Sequence, residues 1–228
     1  MKKRTAFIGA ILSLIPLGQP LLIKTGVVLS TTGLMLAVPE NAFARKNADY
    51  YFNRAYEKAE RGDHYGAISD YTKAIEINPN DSEAYYNRGV SKSKSNDNYG
   101  AISDYTKAIE LNSAFANAYY NRGNAKVGLN DYSGAISDFT KVIEINPQYV
   151  SAYNNIAFIK RNKEINDNYG AIYYATKAIE INPTHSNGYY NRGFAKKNIG
   201  DMKGACADWR KASSLGNEYA PKLLRYKC

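Results

Sequence analysis

Ala84-Tyr85-Tyr86-Asn87-Arg88-Gly89 and the later segment Ala101-Ile102-Ser103-Asp104-Tyr105-Thr106-Lys107-Ala108-Ile109-Glu110 are the two halves of a unit that the chain repeats. The first half returns unchanged at 118–123, with one substitution at 188–193, and as a variant at 50–55. Ala67, Ala101, Ala135 and Ala205 each lie thirteen residues after the arginine of the preceding first half. The second half runs over 67–79, 101–113 and 135–147, and more loosely over 171–183. Pro79, Ser113 and Pro147 are spaced by 34 residues, and the fourth copy is two residues longer. A fixed period of this length is the signature of a repeat architecture, and it governs every other reading of the chain.

Within each copy, small residues recur where two antiparallel helices would have to approach closely, and aromatic residues recur beside them. Asn-Pro closes the second half, and the residue before proline avoids the helical region, so a helix ends there. One such hairpin cannot bury its apolar face alone, so successive copies are expected to stack.

The unit resembles the tetratricopeptide repeat. Its bulky position 4 is Tyr51, Tyr85, Tyr119, Tyr153 and Tyr189; its small position 8 is Ala55, Gly89, Gly123, Ala157 and Gly193. Position 20 is alanine in all five copies, Ala171 included, and position 24 is Tyr71, Tyr105, Phe139, Ala175 and Trp209. Position 27 is Ala74, Ala108, Val142, Ala178 and Ala212. The resemblance implies an all-α fold, a right-handed α-solenoid of five helix hairpins plus a C-terminal capping helix. The repeats fall at 48–81, 82–115, 116–149, 150–185 (with the insertion near 163–166) and 186–219. The cap falls at 217–228, where Tyr219, Leu223 and Leu224 are expected to cover the last repeat. The insertion reads either as a tolerated loop or as a functional elaboration.

Arginine stands at repeat position 7 (Arg54, Arg88, Arg122, Arg192) and aspartate at position 23 (Asp70, Asp104, Asp138, Asp208). At 1.5 Å per residue both sit roughly 12 Å from the hairpin turn, at one height on facing helices. A bidentate Arg–Asp pair inside each repeat is therefore expected, against the alternative of unrelated surface charges. In the fourth repeat both vanish together, to Ile156 and Tyr174. Losing one alone would strand a charge at about 3–5 kcal/mol, whereas losing both can be neutral.

The resemblance also implies that the first helices of the repeats line a concave face. Position 6 there is Asn53, Asn87, Asn121, Asn155 and Asn191, an asparagine in every copy. Aromatic neighbours are Phe52, Tyr56, Tyr86, Tyr120, Phe158, Tyr190 and Phe194, with Asn124 at position 9 of the third copy. Asparagine amides donate and accept, so such a ladder can pair with an extended backbone of any sequence, while the rings supply anchoring area. The competing reading is that asparagine is simply the consensus residue of the repeat. One subset of the family clamps C-terminal carboxylates with Lys, Arg and two Asn. It would require Lys at Phe52, Asn at Tyr56, Lys at Asn117 and Arg at Asn121, so only Asn87 matches and that ligand is not carried over.

The 21 tyrosines against one tryptophan suit rings that are partly buried and partly wet. The formal charge of +9 is unevenly placed. Residues 45–185 balance 17 basic against 17 acidic side chains, while 186–228 hold nine basic and three acidic. A neutral body excludes a nucleic-acid groove running its length. The basic end would suit an acidic partner or an anionic membrane surface, or serve only as a solvated cap.

Lys2, Lys3 and Arg4 precede two apolar stretches, 6–17 and 25–38, then Pro39 and Ala42-Phe43-Ala44. Residues 1–44 are expected to be a secretory signal cleaved after Ala44, or else an uncleaved anchor. The repeats are then delivered to the periplasm, or to the thylakoid lumen in a photosynthetic organism. Cys206 and Cys228 are the only cysteines, and in an exported chain they read as a disulfide tying down the cap, or as two free thiols. Their spacing does not suit a metal site, and His64 and His185 stand apart from any nucleophile or carboxylate pair. No phosphate loop or triad-like grouping appears, so no enzyme and no cofactor is expected. The expected function is a non-catalytic scaffold that takes a peptide or protein segment into its groove and assists assembly of a membrane complex. The alternative is an exported glycan-binding repeat protein.

Overall fold

The computed structural model describes the backbone from Glu40 to Cys228 and side chains from Asn47 onward. The address expected at 1–44 therefore lies outside the described residues, apart from the backbone of its last five. Among the described residues there are eleven helices and no strand. They divide into two compact units at Ser113 and Ala114. The division falls where serine replaces the proline that Pro79, Pro147 and Pro183 supply in the first, third and fourth copies.

The first unit holds α1 (Glu40–Glu60), α2 (His64–Ile77), α3 (Ser82–Lys94) and α4 (Asn98–Leu111). The second holds α5 (Ala116–Gly128), α6 (Tyr132–Ile145), α7 (Val150–Lys160), α8 (Asn168–Ile181), α9 (Ser186–Asn198), α10 (Met202–Ser214) and α11 (Ala220–Lys227). Each odd-numbered helix before α11 forms a hairpin with the even-numbered helix that follows it.

Every second helix of a repeat begins in one way. Asp63, Asp97, Asp131, Asp167 and Asp201 are N-caps whose carboxylates accept a hydrogen bond from the backbone N–H three residues on, at 2.8–2.9 Å. That third residue is glycine each time, because a Cβ there would run into the capping carboxylate itself. At the other end, Asn78, Asn112, Asn146 and Asn182 leave the helix with ψ between 87° and 95°. Their N–H groups still donate to Ala74, Ala108, Val142 and Ala178.

Burial follows the small-residue seams. Ala67, Ala101, Ala135, Ala171 and Ala205 are each fully buried, and Tyr71, Tyr105, Phe139 and Trp209 fill the space beside them. The aromatic rings leave no room opposite: a Cβ on Gly123 would lie 2.8 Å from Phe139 Cε1, and one on Gly193 would lie 2.6 Å from Trp209 Nε1. In the fourth repeat, where Ala175 replaces the aromatic, Ile156 and Ile159 are fully buried in the same unit.

Arg54 Nε and Nη2 donate to Asp70 at 2.7 and 2.6 Å, and Arg88 meets Asp104 at 2.9 and 2.7 Å. Arg122 meets Asp138 at 3.0 and 2.6 Å, and Arg192 meets Asp208 at 2.9 and 2.7 Å. Each aspartate also takes a lysine on Oδ2: Lys58, Lys92, Lys126 or Lys196, at 2.8–2.9 Å. The carboxylates are buried, so two charge-assisted partners offset their desolvation. The hydrogen bond from Arg54, helped by Lys58, holds Asp70 down at about 2. In the fourth repeat the corresponding lysine, Lys160, turns instead to the capping Asp167 at 2.6 Å.

The cap differs in detail from expectation. Cys206 on α10 is disulfide-bonded to Cys228. Ala220 is the fully buried residue of α11, Leu223 and Leu224 are partly buried against Trp209 and its neighbours, and Tyr219 is 67% exposed. Tyr219 precedes the helix, and its ring leans on Tyr190 at 6.0 Å rather than covering the end of the repeat.

Candidate functional site: an amide-lined pocket around Arg161

In the second unit, α5, α7, α9 and the turn before α11 enclose a pocket of about 340 Å³. Asn124, Val127, Asn154, Asn155, Phe158, Arg161, Asn187, Tyr190, Asn191 and Tyr219 line it. Its amides are partly committed to one another. Asn155 Nδ2 donates to Asn124 Oδ1 at 2.9 Å and to Tyr120 Oη at 3.3 Å. Asn191 Nδ2 donates to Asn154 Oδ1 at 2.8 Å. Asn217 Nδ2 donates to Asn187 Oδ1 at 2.9 Å, while Asn217 Oδ1 accepts the N–H groups of Tyr219 and Ala220. One asparagine thus joins α9 to the start of α11.

Arg161 stands at the centre. α7 stops at Lys160, so Arg161 is its C-cap and opens the longer loop of the fourth repeat. Its Nε donates to Asn191 Oδ1 at 2.9 Å. Its guanidinium lies 4.5 Å from the ring centre of Phe194, 5.0 Å from Phe158 and 5.8 Å from Tyr190. Among the described residues no carboxylate forms an ion pair with it, in contrast to Arg54, Arg88, Arg122 and Arg192. Burial draws its basicity below the ordinary arginine value. The same burial pushes the Tyr190 hydroxyl up.

Models of the tetratricopeptide repeat match residues 116–149 and 174–207, and a TPR repeat model matches 55–96 and 93–130. The chain is a tetratricopeptide-repeat (TPR) protein. Among solved structures it is similar to MamA, with 24% identity and a TM-score of 0.69 over 80% of this chain and 97% of that one. It is likewise similar to YrrB, described as a TPR protein with an unusual peptide-binding site, at 20% identity and a TM-score of 0.68 over 81% and 94%. The first TPR domain of Spaghetti (RPAP3), solved with the HSP90 peptide SRMEEVD, shares 26% identity and a TM-score of 0.50 over 51% and 93%. No curated protein sequence matches the chain.

The TPR pocket gathers Asn124, Asn155, Phe158, Tyr190 and Asn191 from the expected set. Tyr120 stacks on Phe139 and Tyr149 and supports Asn155, and Phe194 packs edge-on against Trp209 beneath Arg161. Asn121 is half-buried outside the lining. The remaining expected residues lie in the first unit. There Asn53, Tyr56 and Tyr86 are half-buried, Asn87 is buried, and the Asn87 Oδ1 finds no partner among the described residues.

Two expectations need correction. Phe52 is fully buried with its ring 5.5 Å from Tyr71; lacking a hydroxyl to keep it at the surface, it belongs to the core and offers nothing to a ligand. Asn191 is 3% exposed and spends its amide on Arg161 and Asn154, so it orients the site instead of contacting a ligand. Sequence reasoning missed Arg161 and Asn187. Arg161 had a signal, because it occupies an inward-facing repeat position held by Ala59, Ser93 and Val127 in the first three copies.

Proposed function

We propose that this TPR protein is a protein–protein interaction scaffold that holds an extended segment of a partner in the pocket of its second unit. The observation that carries this reading is the convergence of asparagine amides from α5, α7 and α9 with the open ring of Phe158, which is 43% exposed. Amides satisfy a backbone that brings its own unpaired N–H and C=O groups, and an exposed ring supplies the apolar anchor. The peptide-binding description of YrrB and the peptide bound by the RPAP3 domain point the same way.

The basic stretch at 1–4, the apolar segments after it and the pairing of Cys206 with Cys228 support an exported protein working in an oxidising compartment. Exposed Lys203, Arg210, Lys222, Arg225 and Lys227 would then turn the C-terminal end toward an acidic partner or anionic lipid during assembly of a membrane complex.

Affinity capture with the full chain tests the reading. A stoichiometric protein partner should be retained from an envelope extract and lost from an Asn124→Ala/Asn155→Ala variant whose thermal melt is unchanged. Capture that is indifferent to both substitutions would place the binding elsewhere. Retention on a polysaccharide column alone would replace the protein ligand with a glycan.

A further inference from the structure

We propose that Arg161 is the receptor for an acidic side chain, Asp or Glu, at an interior position of the bound segment; this rests on the peptide-binding reading of the same pocket.

The other arginines at the repeat seams are spent: each is forked onto a buried aspartate. Arg161 has Asn191 on Nε alone, and its two Nη groups make no hydrogen bond among the described residues. With Nε held, the end-on fork of Nη1 and Nη2 is the face left for a carboxylate, which matches a bidentate geometry. Phe158, Tyr190 and Phe194 flank the guanidinium and leave it half-buried, so an arriving carboxylate would meet it partly shielded from water. Desolvation without a compensating carboxylate is the state an incoming anion relieves.

Among the described lining residues Arg161 is the one cation, so charge balance sets the number of acids at one. The pocket volume of about 340 Å³ suits one or two side chains and a length of backbone. Amides stand on both sides of Arg161, with Asn124 and Asn155 toward α5 and Asn187 toward α11. A main chain can therefore enter on one side and leave on the other, which an interior acid permits and a chain terminus does not use. The fourth repeat explains why only this copy does so. It alone has arginine where the first three copies have Ala59, Ser93 and Val127 and the fifth has Lys197, and α7 ends just before it.

The test is selection from a random heptapeptide library, acetylated and amidated at its ends, against the full chain and against Arg161→Gln and Arg161→Lys variants with unchanged melts. Wild type should enrich peptides with Asp or Glu at one fixed position, and changing that residue to its amide should weaken binding by about tenfold or more. Arg161→Gln should still select peptides but show no acidic preference, with less than about a twofold effect of the same change, while Arg161→Lys should restore part of the preference. The proposal is overturned if acidic enrichment persists in Arg161→Gln, or if wild type selects peptides with no acidic position. It is also overturned if binding appears only when the library carries a free C-terminal carboxylate. A library from which no variant and no wild type selects any peptide would remove the peptide-binding reading itself, a different result from selection without acidic preference.

Discussion

Asp138 receives two cations, Arg122 at 2.6 Å on one oxygen and Lys126 at 2.8 Å on the other, and is 3% exposed. Replacing it with alanine leaves Arg122 and Lys126 facing a buried gap. Asp138→Ala is expected to destabilise the second unit by about 3–5 kcal/mol in denaturant unfolding. The double substitution Arg122→Ile/Asp138→Tyr copies the fourth repeat, and its cost should fall well below the sum of the two single changes. Equal, additive costs would show that the fork carries no coupling. Asp70 adds a pH signature. Its folded pKa is depressed to about 2, against about 3.9 in an unfolded chain, so its contribution is present above about pH 4 and drains away as pH falls through about 2. Acid titration should therefore find Asp70→Asn less sensitive than wild type over that window.

At the scale of elements, α11 depends on two ties. The disulfide from Cys206 to Cys228 closes a loop of sequence separation 22. A loop of that size is worth about 3 kcal/mol, so reduction should lower the melting temperature of the second unit and raise amide exchange over 217–228. The other tie is Asn217, which accepts the first N–H groups of the helix and donates to Asn187. Asn217→Ala is expected to cost about 0.5–2 kcal/mol and to free α11 even with the disulfide intact. α7 offers the functional counterpart. Deleting Lys163 and Glu164 restores the repeat length of the other copies, which should leave the helices folded while moving Arg161 off Asn191 and abolishing any acidic preference. Unchanged preference in that deletion would separate the loop from the site.

At the scale of the whole molecule, the sequence exposed the architecture because its period is a physical necessity. Ala67, Ala101 and Ala135 recur where helices touch, and Asp63, Asp97 and Asp131 recur where they start. The Arg–Asp partners could be matched across each hairpin because Ile156 and Tyr174 remove both in one copy. The site was less legible. A ladder of asparagines reads the same whether a side chain stays half-exposed in the pocket, as at Asn155, or is buried and consumed by neighbours, as at Asn191, since hydrogen-bond commitment depends on side chains thirty or more residues away. Phe52 shares a repeat position with half-buried tyrosines, and only three-dimensional packing reveals that it sinks fully beside Tyr71. Arg161 stands in register just ahead of the insertion, and only the packing shows that no carboxylate among the described residues meets it. Photo-crosslinking addresses the central claim most directly. A benzophenone amino acid should be placed in the full chain at Phe158, inside the pocket, and separately at Tyr169, which is 74% exposed on α8. In the native envelope the first position should give one discrete protein adduct and the second none. Equal adducts from both positions, or an adduct from Tyr169 alone, would contradict binding in the pocket.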